Sequence, residues 1–144
     1  MNIGAEKTMT TPWHKAVAQV QHYVLRINLP DGYGTGFQIA RCQIDKSPVV
    51  LVATAAHVVQ DAYEQQDVIV LHHYGSQTDL KLSPHERDIR LFPDRDVALI
   101  AFRDGSLPFP PDPLPLASPH SVIPPGVEIG WCGFPNMQDT RLCF

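Results

Sequence analysis

The sequence has few cysteines, no long apolar run and no cluster of basic residues, and each absence excludes a class of protein. Its three cysteines form no C-x-x-C pair, which argues against a disulfide scaffold or a zinc knuckle. No apolar stretch approaches the roughly 20 residues that span a bilayer, and the N-terminus lacks the apolar core of a signal peptide. The 11 lysines and arginines are scattered, so no nucleic-acid-binding face is predicted. We therefore expect a cytoplasmic protein without membrane or nucleic-acid partners.

The composition is that of a globular domain. Hydrophobic residues make up 44% of the 144 residues and charged residues 18%, which suffices for one domain with its own core. Residues 1–19 are expected to form an N-terminal arm with a short helix over W-H-K-A-V-A-Q-V, capped by Thr11 and with Pro12 in its first turn.

Most of the remaining chain predicts short β-strands separated by turns. The turn signals include P-D-G-Y-G-T-G, D-K-S-P, Y-G-S, S-P-H and P-D-R-D. This spacing is typical of an antiparallel barrel or sandwich. The seven expected strands are Tyr23–Leu29, Gly36–Ile44, Val49–Thr54, Asp67–Tyr74, a segment around Leu80–Leu82, Arg87–Phe92 and Asp96–Phe102.

The composition changes after residue 102. Residues 103–125 hold most of the chain's 14 prolines, so they cannot form an interior strand and are interpreted as a stiff linker. Its P-x-x-P spacing would also suit an SH3-type groove, but the segment joins two strand-like regions. Residues 126–144 are expected to resume strand structure, beginning with G-V-E-I-G-W-C-G-F.

His57 ends an apolar strand in V-V-L-V-A-T-A-A-H, and a helical pattern follows it in H-V-V-Q-D-A. An isolated histidine is often a core residue with both nitrogens satisfied. The small residues before this one present an imidazole at a strand end instead, as a catalytic site would require.

Asp96 stands where the polar turn P-D-R-D passes into the apolar strand V-A-L-I-A-F. A carboxylate there is costly to desolvate unless a donor such as an imidazole N–H binds it. The alternative is a turn carboxylate that caps its own backbone, and Asp94 fits that role better than Asp96.

The glycines of G-Y-G-T-G-F precede the histidine strand by one strand. The spacing is wrong for a dinucleotide fingerprint and no helix follows. Gly34 and Gly36 instead indicate a bulge or a tight corner in a curved sheet.

In this order, G-T-G-F, T-A-A-H-V-V, R-D-V-A-L-I and G-V-E-I-G-W-C-G-F-P resemble the trypsin/chymotrypsin-like serine protease superfamily, from about Val20 to the chain end. The resemblance implies an all-β protein with two six-stranded antiparallel barrels. The first barrel would span residues 20–102, and the second would be largely missing. His57 would be the general base and Asp96 its orienting carboxylate, with no metal or organic cofactor. Peptides or proteins would be the substrates.

The sequence departs from the family pattern at two places. Val58 replaces the half-cystine of many secreted relatives, which indicates the disulfide-free, bacterial-type branch, and Cys42 is then expected to be a buried strand residue. No G-D-S-G-G element is present. Ser106, Ser118 and Ser121 lie in the proline-rich segment without glycines that could form an oxyanion hole.

We therefore predict the N-terminal part of a trypsin-like serine endopeptidase. It would be inactive alone and would need a C-terminal half, covalent or separate, for its nucleophile and specificity pocket. The alternatives are a pseudoprotease that binds peptides or a partner, a cysteine protease on the same fold, and a protease fused to sensor domains. Four other histidines match no common zinc arrangement and are expected on solvated loops or strand surfaces: His72, His73, His85 and His120.

Overall fold

A computed structural model describes residues 11–103, 107–127, 129–130 and 132–134. Two α-helices and seven strands make up the regular structure of these residues. In chain order they are α1 (Trp13–Val20), β1 (Val24–Leu29), β2 (Gly32–Ile44), β3 (Ser47–Thr54), α2 (Ala56–Glu64), β4 (Ile69–His73), β5 (Thr78–Leu82), β6 (Arg87–Phe92) and β7 (Val97–Arg103). Short 3-10 helices lie at Gln21–Tyr23, Pro84–Glu86 and Pro93–Arg95.

All seven strands belong to one antiparallel sheet with the order β5-β4-β1-β2-β3-β7-β6, which curls into a half-barrel. The prediction of a mostly β, antiparallel fold is confirmed at this level. Each of the seven expected strand segments forms a strand, which is one more than the six implied by the family resemblance. The order is linear, with β5 and β6 as the edges, so the described sheet is not a closed six-stranded barrel.

The hairpin between β2 and β3 is built as its sequence predicts. Ile44 pairs with Ser47 across a two-residue turn. Asp45 and Lys46 both have positive φ angles, of 50° and 65°. Positive φ angles at both central residues allow a two-residue turn to match the right-handed twist of the strands that it connects.

The turn predicted at P-D-G-Y-G-T-G is confirmed at Pro30 and Asp31 but is shorter than expected, because β2 already begins at Gly32. An added Cβ at Gly34 would lie 2.5 Å from Val58 Cγ1, and one at Gly36 would lie 2.8 Å from Ile27 Cδ1. These glycines therefore make room for close packing inside the curled sheet. The register shift of β2 lies further along, between Gln38 and Ala40.

The concave side of the sheet holds the core, and α2 covers part of it. Ala56, Val59 and Ala62 are the buried residues of α2. They pack with side chains from most strands, including Leu25, Ile27, Val50, Val52, Ile69, Leu71, Ala98 and Ile100. Each fully buried aliphatic side chain contributes about 1.5–3 kcal/mol to the free energy of unfolding, so this cluster positions α2 firmly.

The proline-rich segment begins inside this core. Leu107 and Phe109 are buried against it, and Tyr23 donates a hydrogen bond to the Asp112 carbonyl at 2.9 Å. The described residues of 107–127 form no helix or strand. The strand expected after them is not seen in the described residues of 126–134, where Gly133 forms an isolated bridge. Residues 135–144, including Cys143, lie outside the described part.

Two smaller predictions are wrong. Pro12, not Thr11, is the N-cap of α1, and no side chain caps that helix. Cys42 is exposed. The register shift before it changes which face of β2 each side chain occupies, so simple alternation from the start of the strand misplaces Cys42.

Candidate active site

The junction between β3 and α2 positions His57. The strand ends at Thr54, whose hydroxyl donates a 2.7 Å hydrogen bond to the Thr35 carbonyl of β2. The helix begins at Ala56, so His57 is its second residue. The Ala56 side chain is buried. The strand, the small alanine and the helix start together hold the imidazole beyond the end of β3, an interior strand of the sheet.

Asp96 is placed by an unusual backbone conformation. It follows the 3-10 helix Pro93–Arg95 and its N–H donates to the Pro93 carbonyl at 3.1 Å. Its φ of 50° and ψ of 46° are in the left-handed region, which aspartate and asparagine tolerate better than most residues. This conformation turns the carboxylate toward α2 immediately before β7 begins.

The two residues, 39 positions apart, meet through both oxygens of the carboxylate. His57 Nδ1 lies 2.7 Å from Asp96 Oδ2, and the His57 backbone N–H donates to Asp96 Oδ1 at 2.9 Å. Because the carboxylate only accepts, Nδ1 must carry the proton and Nε2 is left as the basic nitrogen. The structure thus joins the two residues that the sequence singled out.

The carboxylate also completes the N-terminus of α2. The N-cap residue, Ala55, has no side chain that can accept a hydrogen bond. Asp96 accepts from the N–H of the second helical residue, which is what an N-cap aspartate or serine would do. One side chain therefore orients the imidazole and satisfies a helix-end donor.

The charge of this pair follows from the same contacts. The hydrogen bond from the His57 backbone N–H, followed by the one from its imidazole, holds the pKa of Asp96 below its usual value. Asp96 is therefore ionised at neutral pH. The side chains of His57 and Asp96 are 73% and 54% exposed, so the pair is open to solvent.

A groove of about 450 Å³ adjoins the imidazole. One wall is the β1–β2 hairpin around Asp31 and Tyr33, and the other is the first half of α2. His57 lines this groove, whereas Asp96 does not.

The structure brings no nucleophile to the pair within the part of the chain that it describes. None of the described serines or cysteines hydrogen-bonds with the His57 imidazole. Ser118 instead accepts from the His120 backbone N–H at 3.3 Å. Burial raises the pKa of the Cys132 thiol, which disfavours the reactive thiolate. Ser106 and Cys143 lie outside the described residues.

Two other histidines, His72 and His73, have an environment that differs from the solvated surface expected from the sequence. His72 Nδ1 lies 2.6 Å from Asp79 Oδ1 on the neighbouring strand. His73 is buried, so its expected place on a solvated surface is wrong. In β4, every second residue is buried, in the order Ile69, Leu71 and His73. This alternation in the sequence could have predicted that His73 is buried. Among the described residues, no group of three or more histidine, cysteine or acidic side chains is arranged to hold a metal ion.

The hydrogen bonds of His73 require its neutral form. Its Nδ1 accepts from the Ser76 backbone N–H at 3.2 Å, so Nε2 carries the proton and donates to the His22 carbonyl at 2.7 Å. The ring also packs edge-on against Phe109, with centroids 5.4 Å apart. Desolvation by burial is the main cause that lowers its pKa, and His22 and His72 add repulsion.

We expect the chain to lose stability as the pH falls below about 6.5, the ordinary histidine pKa. In that range the unfolded chain binds a proton at His73 that the folded chain excludes, so the free energy of unfolding decreases until the lowered pKa of the folded state is passed. Urea unfolding at a series of pH values measures this slope. The variant His73→Gln should flatten it and the exposed-site control His85→Gln should not; equal slopes in all three proteins would show that His73 is not the responsible group.

Comparisons with protein-family models, with curated proteins and with solved structures found no match to this chain. Neither described helix has the length and apolarity needed to cross a membrane.

Proposed function

We propose that this chain is the N-terminal part of a trypsin-like serine endopeptidase. The observation that carries the proposal is the His57–Asp96 pair, in which Nδ1 binds a carboxylate and Nε2 has no hydrogen-bond partner among the described residues. In T-A-A-H and D-V-A-L, this pair joins the two most specific motifs of the family resemblance. The curled sheet would then be the first barrel of a chymotrypsin-like double barrel, and the peptide cleft would lie on its His57 side.

The chemistry depends on the free nitrogen. His57 Nε2 would accept the proton of a serine hydroxyl as the serine oxygen attacks the peptide carbonyl carbon. Asp96 would stabilise the resulting imidazolium through Nδ1. The imidazolium would return the proton to the departing amine as the C–N bond breaks, and water would then hydrolyse the acyl-enzyme by the same route. A G-x-S-G-G element after residue 144 would supply the serine and the backbone donors for the oxyanion.

The packing of Val58 supports the disulfide-free branch. Its side chain lies against Gly34, so an apolar contact between α2 and β2 occupies the position of the half-cystine. Cys42 and Cys132 are both free. These features suit a reducing compartment, and the cytoplasm is the location that we assign to the enzyme.

A pseudoprotease that binds peptides is the second candidate. It is consistent with the observation that no described serine or cysteine hydrogen-bonds with the His57 imidazole, which an enzyme with its nucleophile after residue 144 also predicts. The two candidates differ in the sequence that each requires after residue 144 and in their reaction with an active-site probe.

The experiment that separates them is fluorophosphonate labelling of the complete protein, with residues 1–144 alone as the control. We expect the complete protein to become covalently labelled on a serine downstream of residue 144, and residues 1–144 alone to remain unlabelled. A thiol reagent that blocks activity while the fluorophosphonate has no effect would support the cysteine protease instead. A complete protein that reacts with neither probe would be the pseudoprotease.

A further inference from the structure

Four residues after the proline-rich segment pack on the outer face of the curled sheet. We call these residues the anchor: Gly130, Cys132, Gly133 and Phe134. Phe134 is 3% exposed and clusters with Val24, apart from the core that α2 covers. Val24 and Leu25 point to opposite faces of β1, and Leu25 belongs to the main core. The anchor therefore has a contact surface of its own.

Thr35 of β2 fixes the backbone of the anchor. Its hydroxyl accepts from the Phe134 N–H at 2.7 Å and donates to the Phe134 carbonyl at 3.4 Å. A Cβ added at Gly133 would lie 2.8 Å from the same hydroxyl oxygen. Because the hydroxyl could move away only by giving up these bonds, the contact requires glycine at position 133.

Helix α1 covers the other end of the anchor. Trp13, Val17 and Val20 line a cavity of about 110 Å³ together with Gly130 and Cys132. A Cβ added at Gly130 would overlap the Trp13 ring. The surface therefore fits the sequence pattern G-x-x-G-F, in which both glycines permit a close approach.

The Phe134 ring supplies the apolar part of the contact. Its centroid lies 6.0 Å from that of Tyr74, and the guanidinium carbon of Arg26 lies 5.9 Å from it. The same guanidinium carbon lies 5.8 Å from the centroid of Tyr33. Buried aromatic rings beside an arginine are the residues that contribute most to binding at protein interfaces.

The connection that leads to the anchor contributes little to this contact. Residues 113–127 form no helix or strand, and all of them are exposed except Leu114, which is half-buried. Among the described residues, every hydrogen bond of this segment stays within it. Exposed segments of this kind tolerate cleavage and insertion, so the anchor does not need an unbroken connection to stay in place.

We infer that the outer face between α1 and β2 is a docking site for a separate polypeptide that carries the anchor sequence. A downstream half could then join this domain as a second chain, or remain joined after cleavage within residues 113–127. The inference rests on the proposed function only where that polypeptide is the half that brings the serine. The docking itself depends on Trp13, Thr35 and Phe134.

The test supplies the anchor as a separate molecule under reducing conditions. The 144-residue chain with Gly133→Ala, whose own anchor should not dock, is titrated with a blocked peptide of residues 128–135. The amide signals of Trp13 and Thr35 are followed by NMR. We expect a Kd of roughly 0.1–1 mM and movement of both signals to their wild-type positions. The same peptide with Gly133→Ala should not shift them.

Further variants of the titrated chain assign the contact. Thr35→Val, added to Gly133→Ala, should weaken peptide binding about two- to tenfold, the range of one hydrogen bond. Gly32→Ala is the matched control, because a Cβ added there meets nothing within 4 Å, and it should leave the Kd unchanged. No binding, equal binding of the two peptides, or an equal loss in Gly32→Ala would overturn the inference.

A cut chain gives a second measurement that does not require the Gly133→Ala variant to fold. The recognition sequence of a site-specific protease is inserted between Leu116 and Ala117 of the wild-type chain and then cleaved. At roughly millimolar concentration, the signals of Trp13 and Thr35 should match those of the uncut chain, and dilution should shift both. Unfolding on cleavage, or loss of the docked signals at that concentration, would contradict the inference.

These outcomes are separable from those of the proposed function. If the anchor peptide does not bind while fluorophosphonate labelling depends on His57, only the docking site is lost. If the peptide binds while the complete protein reacts with neither active-site probe, the protease proposal fails and the docking site remains.

Discussion

Replacing His57 by alanine should slow fluorophosphonate labelling of the complete protein by about 10²–10⁴-fold, the usual contribution of a general base. The serine hydroxyl would lose its only proton acceptor, since Asp96 contacts Nδ1 and not the nucleophile. The measurement is the second-order rate constant for labelling, monitored by gel fluorescence or mass spectrometry.

The fold should survive this change. The bond from position 57 to Asp96 Oδ1 comes from the backbone N–H, which alanine retains, and alanine is a good helix former. The control is His85→Ala in the 3-10 helix between β5 and β6, which should label at the wild-type rate. Wild-type labelling by His57→Ala, with an unchanged circular dichroism spectrum, would refute the assignment of the base.

Asp96→Asn should reduce peptide turnover by about 10⁴-fold while leaving the folded structure almost intact. The amide oxygen can still accept the His57 backbone N–H, and asparagine tolerates the φ of 50°. The amide NH₂, however, would face Nδ1 and donate to it. The imidazole would then carry its proton on Nε2, so the nitrogen that must accept the serine proton would no longer be free.

Three readouts distinguish this effect from a structural one. The melting temperature of Asp96→Asn should be close to that of the wild type, whereas Asp96→Ala should melt earlier because it loses the bond to α2 and keeps a strained φ. Turnover, measured as kcat on a fluorogenic peptide, should fall in both variants. Asp94→Asn is the matched control in the same turn, and a large loss of turnover there, with none in Asp96→Asn, would mean that the wrong carboxylate had been chosen.

Both residues of the pair could be predicted because each marks a break in a pattern. His57 follows an apolar strand and two alanines, and Asp96 immediately precedes an apolar strand in which an unpaired carboxylate would be costly. The backbone hydrogen bond from His57 to Asp96 could not be predicted. It depends on Ala55 lacking an acceptor and on the left-handed conformation of residue 96, which are properties of two chain segments brought together.

The positions of the strands could be predicted from the sequence, but the extent to which the sheet closes could not. Each strand has its own local pattern, and the turn residues Asp45 and Lys46 lie where the sequence places them. Gly34 and Gly36 misled because glycine signals a turn locally but here makes room for Val58 and Ile27. How far a sheet closes depends on contacts between its edge strands, which no single segment encodes.

The burial of His73 shows a limit of reading residue types alone. Histidine is usually partly exposed, so a pair of histidines suggests a surface. The buried positions of β4 alternate, however, and His73 continues the series of Ile69 and Leu71. Its neighbours Ser76 and His22 satisfy both nitrogens, which is what permits a polar ring in the core.

The two contacts of the Asp96 carboxylate also affect which substitutions this position can accept during evolution. In the proposed enzyme, one carboxylate oxygen would support the folded domain and the other would support catalysis. Asparagine at this position would keep the first role and end the second. A lineage that no longer needs proteolysis, but still needs the domain, would accept asparagine at this position before any aliphatic residue. Among relatives, we therefore expect aspartate at this position in catalytically active proteins and asparagine in inactive ones.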